Sequence, residues 1–329
     1  MSCYLVDRSL TSDETTFSEA YKQIIFSMME QDPRIILGDS DLGRALYGSE
    51  YAQLKAKHPE QMFDVGIQEA NMVGVASGLA VVGRIPVIHS FAAFVTRRTY
   101  DTIFVSGAYA KLNLKLIGSD PGITSTYNGG THMTFEDIGL MNSIPNAIIF
   151  EPSDLTALRS LLPQLIETQG ICYIRLPRKV VPKKIYPDDT KFSIGKANTL
   201  RDGTDATIIA LGTEVSEALM AAQMLAQEGI QVRVLDAVTV KPLDETAVIH
   251  ASKETGAIIV AENHNVKTGL FASVCETLAQ NAPCIAHAVA IQDEFGEVGN
   301  YEELLHRFHL SAEDIAAQVK NAVEEKQKK

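Results

Sequence analysis

The chain has 329 residues, 46% of them hydrophobic and 21% charged, with a formal net charge of −12 at pH 7. That length fits two domains and that apolar content a sizeable core, which excludes a disordered or fibrous chain. The acidic balance excludes a nucleic-acid surface, which would gather Lys and Arg on one face to neutralise phosphates; only residues 179–184 are locally basic.

Cys3, Cys172, Cys275 and Cys284 form no CxxC pair or metal-ligand cluster, so they read as reduced thiols of a cytoplasmic protein. Residues 1–14 carry no apolar leader. No uncharged apolar run approaches the roughly 20 residues of a membrane span, so no membrane contact is expected.

In chain order, Thr16-Phe17-Ser18-Glu19 has the form of a capping box and predicts a helix with Phe17, Tyr21, Ile24, Ile25 and Met28 on its apolar face, ending near Asp32-Pro33. Short apolar and β-branched runs at residues 34–37, 85–89, 112–117, 147–150 and 172–176 follow, each succeeded by a longer helical segment. This alternation is the pattern of βαβ units and a parallel sheet, in which ligands gather at the carboxyl ends of the strands. Residues 177–197 hold three prolines, many basic residues and no period, and read as a connection between domains. A second alternation runs from strand 206–211 through helix 214–229, strand 231–235, helix 244–253, strand 256–261 and helix 270–280 to strand 284–291, with a last helix at 311–329. The expected fold is α/β, two doubly wound, mainly parallel-sheet domains.

Neither a G-x-G-x-x-G after a strand nor a Walker-type G-x-x-x-x-G-K occurs, and His132, His264 and His306 are scattered, so no metal site is expected. The stretch that organises the chain is residues 64–80. There Glu69 is followed by no charged residue until Arg84, and Ala70, Gly74, Ser77 and Gly78 recur at about helical spacing. Such a carboxylate either caps the helix, where the macrodipole favours it, or does proton chemistry. Phe91 and Phe94 are i, i+3 neighbours that form either an aromatic wall or ordinary core. A polar, glycine-containing loop runs from Gly118-Ser119-Asp120 to Gly129-Gly130-Thr131-His132, and loops of that length are usually functional or disordered. Arg175 and Arg178 end a strand, either as forks suited to a phosphate or as surface residues.

Taken together, these stretches resemble the transketolase family, specifically its carboxyl-terminal half. The resemblance runs from about Thr16 to about Ile315 and is carried by Gly38-Asp39-Ser40-Asp41-Leu42, Val65-Gly66-Ile67-Gln68-Glu69, Ser90-Phe91-Ala92-Ala93-Phe94, Gly129-Gly130-Thr131-His132 and the Gly203–Ala210 run that opens the second domain. It implies a pyrimidine-binding domain over residues 1–178, a linker over 179–197 and a transketolase carboxyl-terminal domain over 198–329. It also implies thiamin diphosphate as cofactor, with Glu69 hydrogen-bonded to the aminopyrimidine so that the cofactor activates itself. Phe91 and Phe94 would surround the pyrimidine, with Ile67, Asp41 and Arg97 on the cofactor side. His132 would bind substrate and join Glu69 in catalysis, Arg178 would hold the substrate phosphate, and Ser119 and Asn128 would complete the substrate site.

The family's GDG motif for diphosphate and Mg²⁺ is absent: Arg201-Asp202-Gly203 lacks its first glycine and the downstream asparagine. The resemblance therefore implies one subunit of a split transketolase, in an α2β2 assembly with a companion that holds Mg²⁺, acting on sugar phosphates. Arg97, Ser119 and Asn128 depart from the residues that the family usually has, which bears on the sugar. Other thiamin-dependent subunits, of the 2-oxo-acid dehydrogenase β or deoxyxylulose-phosphate synthase type, and a noncatalytic regulatory subunit are the competing readings.

Overall fold

A computed structural model describes residues 2–3 and 10–328. The first sheet has seven strands in the order Thr239–Lys241, Ile148–Phe150, Ile171–Leu176, Leu114–Ser119, Ile85–Phe91, Ile35–Asp39 and Met62–Asp64, all parallel except the first. All five expected strands form. Four of them are buried at every position, as mainly apolar strands covered on both faces are.

One covering helix is Phe17–Gln31, which buries Phe17, Tyr21 and Ile25 and ends at Asp32. Thr16 accepts the Glu19 N–H at 3.3 Å, but the expected capping box is only half made, because the Glu19 carboxylate turns to Lys22, 2.9 Å away.

The second sheet runs Ser2–Cys3, Asn198–Arg201, Val232–Asp236, Ala206–Ala210, Ala257–Asn265 and Ile285–Ile291, parallel except where Val232–Asp236 meets Asn198–Arg201. The protein is thus built of two α/β units with mainly parallel sheets. Neither sheet comes from one contiguous stretch, since Ser2–Cys3 joins the second and Thr239–Lys241 joins the first.

A buried polar network closes the boundary between the units. Arg175, fully buried at the end of its strand, donates Nε to Asp137 at 2.7 Å, pairs with Glu151 and donates Nη2 to the Asn263 carbonyl at 3.0 Å. It is therefore not one of the forks free for a phosphate. Burial raises the Asp137 carboxyl, yet Arg175, His264 and the Tyr173 hydroxyl together outweigh it and leave the group below its ordinary value; Glu151 is held up by burial. Burial pushes His264 down to about 4, so its Nε2 is free to accept the Ile138 N–H at 3.2 Å. Gly122, at φ +55°, is required here because a Cβ would lie 2.1 Å from the Asn263 Oδ1 that accepts the Ile123 N–H.

Candidate active site

Glu69 opens the helix Glu69–Val81 and lies at the carboxyl-terminal edge of the first sheet, 3% exposed. Its carboxylate takes side-chain partners: Arg98 Nη1 at 3.0 Å from Oε1 and 3.1 Å from Oε2, and the Ser90 hydroxyl at 3.5 Å. The Arg98 guanidinium lies over the Phe94 ring, 4.0 Å from its centroid. Phe91 ends its strand and caps the helix Ala92–Arg97, which fixes Phe94 one turn on. The two rings meet edge to face at 5.9 Å, and His132 completes the cluster, 5.7 Å from Phe91 and 5.1 Å from Phe94.

The glycine loop that carries His132 is stapled in place. Arg97 donates to the Thr131 and Met133 carbonyls at 3.5 and 3.3 Å and pairs with Glu136 at 2.9 Å, so its guanidinium serves the loop. From the other side the second unit presses close: a Cβ on Gly130 would lie 2.4 Å from the Gly296 carbonyl oxygen. Thr131 Oγ1 sits 2.9 Å from His132 Nδ1 and orients the ring.

Below this cluster a chain of hydrogen bonds joins three strand ends. His89 Nδ1 is 2.7 Å from Asp39 Oδ2, and Nε2 is 2.9 Å from Ser119 Oγ, with all three residues buried. A carboxylate only accepts, so Asp39 fixes which nitrogen carries the proton and hence the ring orientation. Asp120, one residue on, pairs with Arg178 at 2.9 Å; burial raises its carboxyl and Arg178 opposes the rise. Arg178 also donates to the Ala45 carbonyl at 2.8 Å and lies 5.7 Å from the Phe91 ring. The arginine expected to hold a substrate phosphate is thus already clamped within the chain at the site's edge.

The remaining expected residues are more open. Asp41 is exposed in a left-handed conformation, φ 64°, with its N–H 3.2 Å from Asp64 Oδ1. The same carboxylate oxygen takes the Gly66 N–H at 2.9 Å and so ties together the Asp41 and Ile67 turns. Ile67 is 69% exposed, and Asn128 is half-buried at the end of a 3₁₀ segment, Gly122–Asn128. Glu69, Phe91, Phe94, His132 and Arg178 thus form one contiguous cluster, with Ser119 beneath it and Arg97 bracing its loop.

Residues 13–184 match the family model described as "Transketolase, pyrimidine binding domain", and residues 195–315 match "Transketolase, C-terminal domain". The chain belongs to the transketolase family. It is 42% identical over 314 residues to the 6-deoxy-6-sulfo-D-fructose transketolase subunit SqwH of Clostridium sp. (strain MSTE9), covering 95% of this chain and 96% of that protein. It is 35% identical to one of the apulose-4-phosphate transketolase subunits of Phocaeicola vulgatus, covering 90% and 94% of the two chains. A split gene transketolase solved as an inactive β4 tetramer superposes with a TM-score of 0.84 at 35% identity, covering 95% of this chain and 99% of that one.

Two residues of this candidate site, Arg98 and His89, are not singled out by the sequence reading. Arg98 is four residues beyond Phe94, the spacing that lets it return over the ring. His89 is two residues before Phe91 and so faces the same side of the strand, a lone imidazole in an apolar run. Both spacings are visible once the elements are placed.

Proposed function

We propose that the chain is the carboxyl-terminal subunit of a split transketolase that moves a two-carbon ketol unit from an anionic ketose to an aldose acceptor in the cytoplasm. It would work in an α2β2 assembly whose companion holds the diphosphate and Mg²⁺ of thiamin diphosphate. The observation that carries this reading is a buried carboxylate, Glu69, beside an aromatic floor of Phe91 and Phe94. The residues fit the pyrimidine end of the cofactor, because a planar N–H donor, the Arg98 guanidinium, already lies over Phe94 and bonds Glu69.

When bound, thiamin diphosphate would supply the electron sink for the two-carbon unit. Glu69 would accept the ring's N–H and hold its proton balance, and the phenylalanines would exclude water and fix the ring's plane. His132, over both rings and oriented by Thr131, stands where a substrate hydroxyl would meet it. Arg178 would reach a substrate anion only by loosening its hold on Asp120 or Ala45.

The companion would cover the helix Glu69–Val81, which after Asn71 carries only apolar residues and Ser77 yet exposes Gly74, Val75, Gly78 and Val81, with Ile67 and Val82 at its ends. Nothing lies within 4 Å of a Cβ built on Gly74 or Gly78, and an apolar helix of this kind calls for a partner.

Among ketoses, the reading favours a modified or branched sugar over the common pentulose phosphate. Asn128 stands where the family has an aspartate, and an amide both donates and accepts whereas a carboxylate only accepts. The names of the two relatives, a sulfonated fructose and apulose 4-phosphate, point the same way. The test is the reconstituted complex assayed on a panel of ketose phosphates and sulfonates, with Asn128→Asp beside it. The expected result is poor use of xylulose 5-phosphate by the native complex and a gain of about tenfold in the variant, the size of one charge-assisted hydrogen bond. Strong native use of xylulose 5-phosphate, unchanged in Asn128→Asp, would remove Asn128 from the specificity account.

A further inference from the structure

Arg98 is tied into the candidate site by two separate contacts, and together they define a shape. Its Nη1 bonds both Glu69 oxygens at 3.0 and 3.1 Å, while its guanidinium carbon sits 4.0 Å from the centroid of the Phe94 ring. A guanidinium and an aminopyrimidine share the features that matter here: each is planar, each can give an N–H to a carboxylate (the pyrimidine through a protonated ring nitrogen), and each stacks on an aromatic face. Only one planar group can cover Phe94 at that height and bond Glu69 at the same time.

Resting on the function proposed above, we infer that Arg98 fills the place of the cofactor's aminopyrimidine in the uncomplexed chain and is displaced when the cofactor arrives. Arg98 is then a positioning residue: it keeps the Glu69 carboxylate aimed and paired while the site is incomplete, and its hold on Glu69 sets how tightly the assembled site takes the ring.

The asymmetry of burial supports an exchange. The Glu69 side chain is 4% exposed and cannot move without opening the core, whereas that of Arg98 is 47% exposed and reaches in from the open side. The backbone beneath Arg98 is fixed. It follows directly on the helix Ala92–Arg97, and the next residue, Thr99, is buried with its hydroxyl bonded to the Val95 carbonyl. Displacement therefore takes only rotation of the side chain, which moves the guanidinium into water where a cation is well solvated. Arg97 is held apart from this exchange by Glu136 and the loop carbonyls, so it does not replace Arg98 on Glu69.

A group that must be displaced lowers the apparent affinity by the fraction of time that the site is open. A half-exposed pair is worth a factor of about five, with somewhat more expected here because the carboxylate is buried. The experiment is calorimetric titration of thiamin diphosphate, with Mg²⁺ in excess, into complexes reconstituted with native, Arg98→Met and Arg98→Lys chains. Methionine keeps the stem and removes the plane and the charge; lysine keeps the charge alone. The expected result is about five- to tenfold tighter binding with Arg98→Met and an intermediate value with Arg98→Lys. Unchanged or weaker binding in Arg98→Met would overturn the inference and make Arg98 a permanent support of Glu69 instead.

A second measurement needs no companion: 4-amino-2-methylpyrimidine is titrated into the isolated chains and followed by ligand-observed NMR. Arg98→Met is expected to bind it, and the native chain to bind it at least fivefold more weakly; equal behaviour would count against the exchange. If no complex binds thiamin diphosphate, the proposed function falls, while the pyrimidine titration still decides whether Arg98 occupies that place.

Discussion

Replacing Glu69 by Gln or Ala is expected to lower ketol transfer by the reconstituted complex by about a hundred- to ten-thousandfold, the usual worth of a positioned acid or base. The fold should survive, because the carboxylate does not cap its helix: its partners are the Arg98 and Ser90 side chains, and the N-cap residue, Gln68, makes no side-chain cap bond. Losing a pair with a half-exposed arginine costs at most about 1 kcal/mol. Turnover and denaturation midpoint, measured on the same preparation, separate the two roles. A variant that turns over normally would reduce Glu69 to a structural acid.

Arg175→Met should act in the opposite way, on stability. Methionine fills much of the arginine's volume but leaves the carboxylates of Asp137 and Glu151, both buried, without their cation. Breaking a buried pair from one side costs about 3–5 kcal/mol, far above a surface substitution. Urea denaturation should show a loss of that order, together with loosening between the two units, since Arg175 also holds the Asn263 carbonyl of the second sheet. A loss below about 1 kcal/mol would mean that the carboxylates are protonated or solvated once the arginine is gone.

The long elements are legible in the sequence because their periods are strong. Residues 85–89 and 172–176 are short, mainly apolar runs, and the helix that begins at Phe17 has an apolar stripe and a stop at Asp32-Pro33. Thr239–Lys241, Asn198–Arg201 and Met62–Asp64 are not, because three or four residues hold too little pattern, and their pairing is decided by partners far along the chain. Ser2–Cys3 beside Asn198–Arg201 is the extreme case.

At the site, motif order leads to Glu69, Phe91, Phe94 and His132, and the structure brings these four together. What a linear reading lacks is the partner of each group. Arg175 and Arg178 look alike at the end of one strand, yet one is sealed between the two units and the other is clamped to Asp120 and Ala45. Arg97 and Arg98 are adjacent, yet one braces the glycine loop and the other covers Phe94. A helical step of about 100° per residue is enough to send neighbours to different tasks.

If this chain supplies the pyrimidine end of a shared site and nothing for the diphosphate, cofactor binding must depend on the companion. Calorimetric titration of thiamin diphosphate with Mg²⁺ tests this most directly, run on the chain alone and on the chain mixed with its companion. The predicted result is no saturable binding to the chain alone and tight, Mg²⁺-dependent binding to the mixture, with one site for each pair of chains. Tight, Mg²⁺-dependent binding to the isolated chain would contradict it.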